Sequence, residues 1–204
     1  MIFTVYDNKI NLNVVGLQKR VFDIYGVEIN QVRIDNWVSH GKSVDDILSG
    51  LTDPNEVVVL FDIDSIPLNP DIVPKSIKWC EENVGIISVA QRAVRLKNPI
   101  IHGGPSFMVF SIDTFNKLGR PSFETNQRSD CGAEMTYEAR KRGVEVRLMY
   151  PTTVEREDYI LDGNVKFGMG TNYENNIYHA FESRFDNKNH YFIDKCEDII
   201  KNNG

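Results

Sequence analysis

Hydrophobic positions along this chain follow two rhythms. Short apolar runs, often β-branched, alternate with longer stretches in which apolar residues recur every three or four positions, the periods of strands and helices. Ile2-Phe3-Thr4-Val5-Tyr6 opens as a strand ending at Asp7-Asn8. Leu12, Val15, Leu17, Val21, Phe22 and Ile24 then keep largely to one helical side, and Gly26 is the stop. Residues 27–34 read as a second strand. Strand, helix and strand in so few residues predict a βαβ unit, hence a parallel pair joined by a right-handed crossover. Residues 36–43 read as a loop. A helix follows, with Ser43 as N-cap, Asp45 and Asp46 in its first turn, and Ile47, Leu48 and Leu51 on its apolar side.

The rest is organised around Val57-Val58-Val59-Leu60-Phe61, which is apolar without alternation, as a strand buried on both faces is. It runs into Asp62-Ile63-Asp64, and Pro67 and Pro70 forbid its continuation. Open α/β sheets bind ligands at the carboxyl ends of their strands. Two carboxylates at i and i+2 can share one hard cation there, and such a cation commonly carries a phosphorylated substrate. Asp also ends strands and caps turns, but the end of a buried strand is poor placement for unpaired charge. Downstream, residues 72–80 read as a helix with Pro74 in its first turn, and residues 84–90 as a strand followed by Gln91, Arg92 and Arg95. Those two arginines can meet phosphate or sugar hydroxyls, or stand as solvated surface charge. Gly103-Gly104-Pro105 before an apolar strand marks unusual dihedrals or close approach to a ligand. A short helix capped by Ser111, a helix over 135–142 closed by Gly143, an alternating strand over 144–148 and a last amphipathic helix over 191–201 complete the pattern. Residues 151–176 read as an irregular segment, with Gly163, Gly168 and Gly170 as hinges of a lid. The expected architecture is α/β: one domain over residues 1–204 with a central, mostly parallel sheet flanked by helices.

Composition narrows the function. The 204 residues are 41% hydrophobic and 25% charged, as in an ordinary globular protein, and the net charge of −6 argues against a nucleic-acid partner. No run approaches a membrane span, and residues 1–7 lack the basic and apolar regions of a signal peptide, so a cytoplasmic protein without a transmembrane segment is expected. Cys80, Cys131 and Cys196 are too far apart for a disulfide framework or a zinc site, and Cys131, beside Asp130, has no histidine partner in sequence. No Walker loop or GxGxxG is present, so ATPase and dinucleotide readings have no motif behind them.

Phe61-Asp62-Ile63-Asp64-Ser65-Ile66-Pro67-Leu68 resembles the DxD segment of glycosyltransferases of the GT-A type. The resemblance extends over most of the chain through the order of its parts: an opening βαβ, the DxD strand, a Gly-rich strand, an acidic helix start and a late histidine. It implies a Rossmann-like GT-A fold with a nucleotide-sugar half over residues 1–97 and an acceptor half over 98–204. It would place Thr4, Tyr6 and Asp7 near the base and ribose, and His40 near the nucleotide, although a surface loop histidine is the alternative. Residues 103–110 resemble the Asn-Ala-Gly-x-Met-Val-Phe strand of glycogenin-like transferases, which lines the donor sugar. Gly103 and Gly104 stand where that pattern often has Asn and Ala, which keeps the close backbone approach but not the side-chain contact. Asp130 is implied as the catalytic base facing the reacting sugar, with Glu134 in reserve; helix capping is the alternative role. His179 would complete a metal site with Asp62 and Asp64, which two carboxylates and one imidazole suit for Mn²⁺ or Mg²⁺. Arg184 and Lys188 would meet the diphosphate. The expected reaction is transfer from a nucleotide-diphosphate sugar, a UDP-sugar, to a glycan hydroxyl with inversion. A retaining transferase, a metal-dependent phosphohydrolase and a non-catalytic sugar-nucleotide-binding module are the alternatives.

Overall fold

The computed structural model describes residues 1–93, 96, 99–182 and 185–203. The first half runs β1 (Ile2–Asp7), α1 (Leu12–Ile24), β2 (Asn30–Ile34), α2 (His40–Ser49), β3 (Val57–Phe61), β4 (Ser65–Pro67), α3 (Ile72–Glu82) and β5 (Gly85–Arg92). The second half runs β6 (Ile101–Ser111), α4 (Ile112–Lys117), α5 (Ala133–Arg142), β7 (Glu145–Met149), β8 (Pro151–Asp162), β9 (Val165–Tyr173), β10 (Ile177–His179) and α6 (Asn189–Asn203).

The strands form two sheets. The larger has the order β2-β1-β3-β6-β5-β7, and the smaller β4-β10-β9-β8. In the larger sheet β2, β1 and β3 pair in parallel, as do β5 and β7, while β6 runs antiparallel to both its neighbours. Five of the six strands therefore point one way, so the expected mostly parallel sheet is present, and β1-α1-β2 is the expected βαβ unit.

Helices cover both faces of that sheet, and β3 shows why its sequence does not alternate. Val57, Val59 and Phe61 pack in one layer with residues of α1, α3 and α6, including Phe22, Val73 and Phe192. Val58 and Leu60 point the other way, into a layer with Val44, Phe115 and Met135 from α2, α4 and α5. All five side chains are buried, each worth about 1.5–3 kcal/mol of transfer free energy.

Three expectations are corrected. Helix α2 begins at His40, because Ser39 is the N-cap, its Oγ accepting from Lys42 N at 3.0 Å; Ser43 lies inside the helix, donating to Ser39 O. Pro67 does not end the strand path. After the Asp62-Ile63-Asp64 turn the chain enters the second sheet as β4, an edge strand, where a proline is tolerated because its missing N–H faces outward. Residues 151–176 are not an irregular lid. They form the long antiparallel hairpin of β8 and β9, which turns at Gly163 with φ 51°. Its strand signal was hidden because β8 is mostly exposed, so polar residues occupy both of its faces.

Candidate active site

The carboxyl end of β3 is where the chain leaves one sheet for the other. Asp62-Ile63-Asp64 makes that turn, closed by Ser65 N donating to Asp62 O at 3.1 Å. The β4–β10 ladder then sets Ser65 opposite His179. Ser65 Oγ donates to Tyr178 O at 3.2 Å, and Ala180 N donates to Asp64 O at 2.9 Å. These ties and the ladder bring the buried imidazole of His179 to the acidic pair across more than a hundred residues of sequence. His179 Nε2 lies 3.2 Å from Asp64 Oδ1 and 3.5 Å from Asp62 Oδ2.

The three side chains can converge on one ion, with ligand atoms all within 4.8 Å of one another. Donor atoms about 2.1 Å from an octahedral ion stand about 3 Å apart at right angles, so separations of 3.2 and 3.5 Å suit a small divalent cation. The donor set fits too: two carboxylates and one imidazole can ligate a divalent metal ion. Asp62 Oδ1 is buried and accepts no hydrogen bond among the described residues, although His40 Nδ1 lies 3.4 Å away. Burial pushes the Asp62 carboxyl above its ordinary range; His40 and His179 pull it back, and Asp64 and Asp130 push it up again. A buried, under-bonded carboxylate beside a second one is the situation that a cation relieves.

A cleft of about 330 Å³ opens over this group. Tyr6 and Asp7 from the end of β1, His40 from the start of α2, Asp130, and the Asp62, Asp64 and His179 cluster all line it. Asp130 is held in the segment before α5, its Oδ1 accepting from Cys131 N at 2.9 Å and Thr125 Oγ1 at 3.4 Å. It does not cap the helix, whose N-cap is Gly132 at φ 75°.

Other expected site residues stand elsewhere. Thr4 is fully buried in β1, does not line the cleft, and has no hydrogen-bond partner for its hydroxyl among the described residues. Arg92 turns away and donates to Leu161 O at 3.2 Å. Gly103 and Gly104 lie inside β6, where a Cβ would come within 2.8 Å of Ser88 and 2.1 Å of Gln91 respectively. Their close approach is to neighbouring side chains, and Pro105 is the part of the motif that reaches the cleft. Glu134 lines a separate cavity with Lys141 and Arg142, gripped by Arg128 Nε at 2.9 Å and Nη2 at 2.6 Å and by Asn126. Lys188 pairs with Glu182, which does line the cleft. Arg95 and Arg184 lie outside the described residues.

The sequence reading missed Trp37, Gln91, Phe181 and Glu182, all of which line the cleft. Trp37 stacks near His40 with ring centroids 6.3 Å apart and 25° between planes; an aromatic three residues before a candidate histidine, in a polar loop, was the available signal. Cys131 also lines the cleft. Burial, with the charges of Asp62, Asp130 and Asp45, pushes its thiol well above its ordinary value, the direction that disfavours the thiolate.

No protein-family model and no curated protein sequence matches the chain. Solved structures do. A mannosyltransferase from Pyrobaculum calidifontis, solved with GDP-Man and Mn²⁺, is 15% identical over 72% of this chain and 53% of its own, with a TM-score of 0.48. The catalytic domain of Drosophila β1,4-galactosyltransferase 7 is 14% identical over 72% of this chain and 63% of that one, with a TM-score of 0.45. A further structure of a mutant of that enzyme holds manganese, UDP-Gal and xylobiose. A protein from Bacillus anthracis assigned as a glucose-1-phosphate thymidylyltransferase is 14% identical over 72% of this chain and 66% of its own, with a TM-score of 0.43. The likeness is one of fold. This chain spans about half the length of the mannosyltransferase. Among the described residues no helix is long and apolar enough to cross a membrane.

Proposed function

We propose that the chain is a metal-dependent glycosyltransferase that moves a sugar from a nucleotide-diphosphate sugar to a glycan hydroxyl. The observation that carries this reading is the convergence of Asp62, Asp64 and His179 at the carboxyl end of β3, beneath a cleft that Asp130 also lines. The described residues lining that cleft include Asp7, Asp62, Asp64, Asp130 and Glu182 but no lysine or arginine. An anionic donor would be repelled from such a wall unless a cation were held there. Asp62, Asp64 and His179 would hold Mn²⁺ or Mg²⁺. The ion would supply Lewis-acid neutralisation of the departing diphosphate. Tyr6, Asp7 and Trp37 would receive the base and ribose, with His40 turned toward the nucleotide. Asp130 would accept the proton of the attacking hydroxyl, which is a poor nucleophile at neutral pH, and so give inversion. Glu134, gripped by Arg128 in another cavity, would have no part in that proton transfer. We propose a UDP-sugar as donor and a single functional unit in which both halves meet at this cleft.

The test is a transfer assay over a panel of UDP-, GDP- and dTDP-sugars with Mn²⁺, scored by product mass and anomeric configuration. Asp130→Asn should lower transfer by about 10²–10⁴-fold with donor binding intact. Glu134→Gln should transfer as wild type does. Wild-type rates in Asp130→Asn would remove the base assignment, and a product retaining the donor's configuration would remove inversion with it. Release of inorganic phosphate from phosphomonoesters without sugar transfer would replace this reading by a phosphohydrolase. Metal-dependent nucleotide-sugar binding without turnover would leave a binding module.

A further inference from the structure

Gln18 of α1 is fully buried and lines no cavity described above, yet both hydrogens of its amide point at the turn that carries the two aspartates. Its Nε2 donates to Asp62 O at 2.8 Å and to Ser65 O at 2.9 Å, the two ends of that turn. The amide is itself oriented. Gln31 of β2 donates through Nε2 to Gln18 Oε1 at 3.0 Å and to Val15 O at 2.9 Å. Reversing the Gln18 amide would set its oxygen against two carbonyls and its NH₂ against another NH₂, so the network admits one orientation. On its other side the turn is tied to β10 by Ser65 Oγ to Tyr178 O and Ala180 N to Asp64 O.

The geometry points to a clamp: we propose that the Gln31–Gln18 amide pair positions Asp62 and Asp64 for metal binding without touching the ion. This rests on the metal-site reading above. Gln18 is a positioning residue, and Gln31 acts through it. The two carbonyls it holds bracket the dipeptide step between the carboxylates, so their spacing relative to His179 depends on that grip. An apolar residue of similar shape at position 18 would fill the space but release the turn from α1. Groups that orient ligands from outside the coordination sphere are worth about 10–100-fold in metal affinity.

The experiment measures Mn²⁺ binding by titration calorimetry and by the EPR spectrum of bound Mn²⁺. The proteins are wild type, Gln18→Met, Gln31→Met, the double variant and Thr114→Val. Thr114 is an equally buried polar residue remote from the turn, where its Oγ1 accepts from Gly85 N. Gln18→Met should bind Mn²⁺ about 10–100-fold more weakly, with a broadened EPR spectrum and near-UV circular dichroism like wild type. Gln31→Met should weaken binding less, and the double variant no more than Gln18→Met alone, because the second amide works through the first. Thr114→Val should lose stability but not affinity. If wild type binds Mn²⁺ and Gln18→Met binds it equally, with the same spectrum, the clamp is refuted while the metal site stands. If Gln18→Met does not fold, Gln31→Met decides, and unchanged affinity and spectrum there refute it. If wild type itself does not bind Mn²⁺, the metal-site reading fails and takes the clamp with it.

Discussion

Replacing Asp62 by Asn should make the metal-free protein more stable and the metal-bound protein less so. Without a cation, burial holds the Asp62 carboxyl above its usual pKa of 3.8, against the pull of His40 and His179. The sign follows from linkage: a raised carboxyl binds its proton more tightly when folded, so folding loses stability as pH rises from 3.8 through the folded value and stays lower above it. At neutral pH, well above 3.8, that lost stability makes Asp62 a burden on the metal-free fold, and an isosteric neutral Asn removes it. With Mn²⁺ the order reverses. At an ion concentration about 100 times Kd, wild type gains about 2.7 kcal/mol, which for a chain of this size raises Tm by about 5–11 °C. A variant whose affinity is about a hundredfold weaker gains about 0.4 kcal/mol, or about 1–2 °C. The assay is a thermal melt of both proteins, each with chelator and with Mn²⁺. Crossing curves are expected: variant above wild type in chelator, wild type above variant in Mn²⁺. Wild type with the same Tm in both conditions, or an equal shift in the variant, would refute the reasoning.

Gly103→Ala should cost about 1–3 kcal/mol in chemical denaturation, because its Cβ would meet Ser88 Cβ and Oγ at 2.8 Å and the Ser88 hydroxyl is already bound to Gly104 O and Phe107 O. Gly104→Ala should be milder for stability, about 1 kcal/mol for the Gln91–Ser106 hydrogen bond it displaces, yet it should alter ligand affinity, because Gln91 lines the cleft. In Glu134→Gln the acid dependence should change. Burial pushes the Glu134 carboxyl up, but its bonds from Arg128 and Asn126 outweigh that and hold it below its usual 4.5, so its contribution is present above 4.5 and is lost as pH falls through the folded value. Urea midpoints of wild type and Glu134→Gln should differ at neutral pH and converge in strong acid; a constant gap would refute the assignment.

Much of the fold was legible because its elements are locally specified. The unbroken apolar run of β3 announced a strand covered on both faces, and the two helical layers confirm it residue by residue. Helix α1 and its stop at Gly26 followed from period and glycine alone. Elements whose signal depends on the partner were misread. In the hairpin of β8 and β9 only β9 is mostly buried, and β8 carries solvent-facing Thr, Glu and Arg where periodicity expects alternation. The start of α2 was displaced because Ser39 and Ser43 are equally good caps in sequence, and only the bond from Lys42 N to Ser39 Oγ decides between them.

The site divides along the same line. Asp62 and Asp64 were legible because the strain of putting charge at the end of a buried strand is a local fact. His179 entered only through a resemblance, because what puts it there is the register of β10 on β4, and no local pattern encodes register between segments so far apart. At Gly103 and Gly104 the ambiguity is of another kind. A glycine pair reads as room for something to come close, and sequence cannot say what. Here the visitors are Ser88 and Gln91 from β5, the strand paired with β6. Yet the Gln91 that takes the space left by the missing Cβ of Gly104 is a cleft residue. The glycine shapes the site at one remove, by leaving room for the end of the Gln91 side chain, whose amide donates to Ser106 Oγ at 3.1 Å.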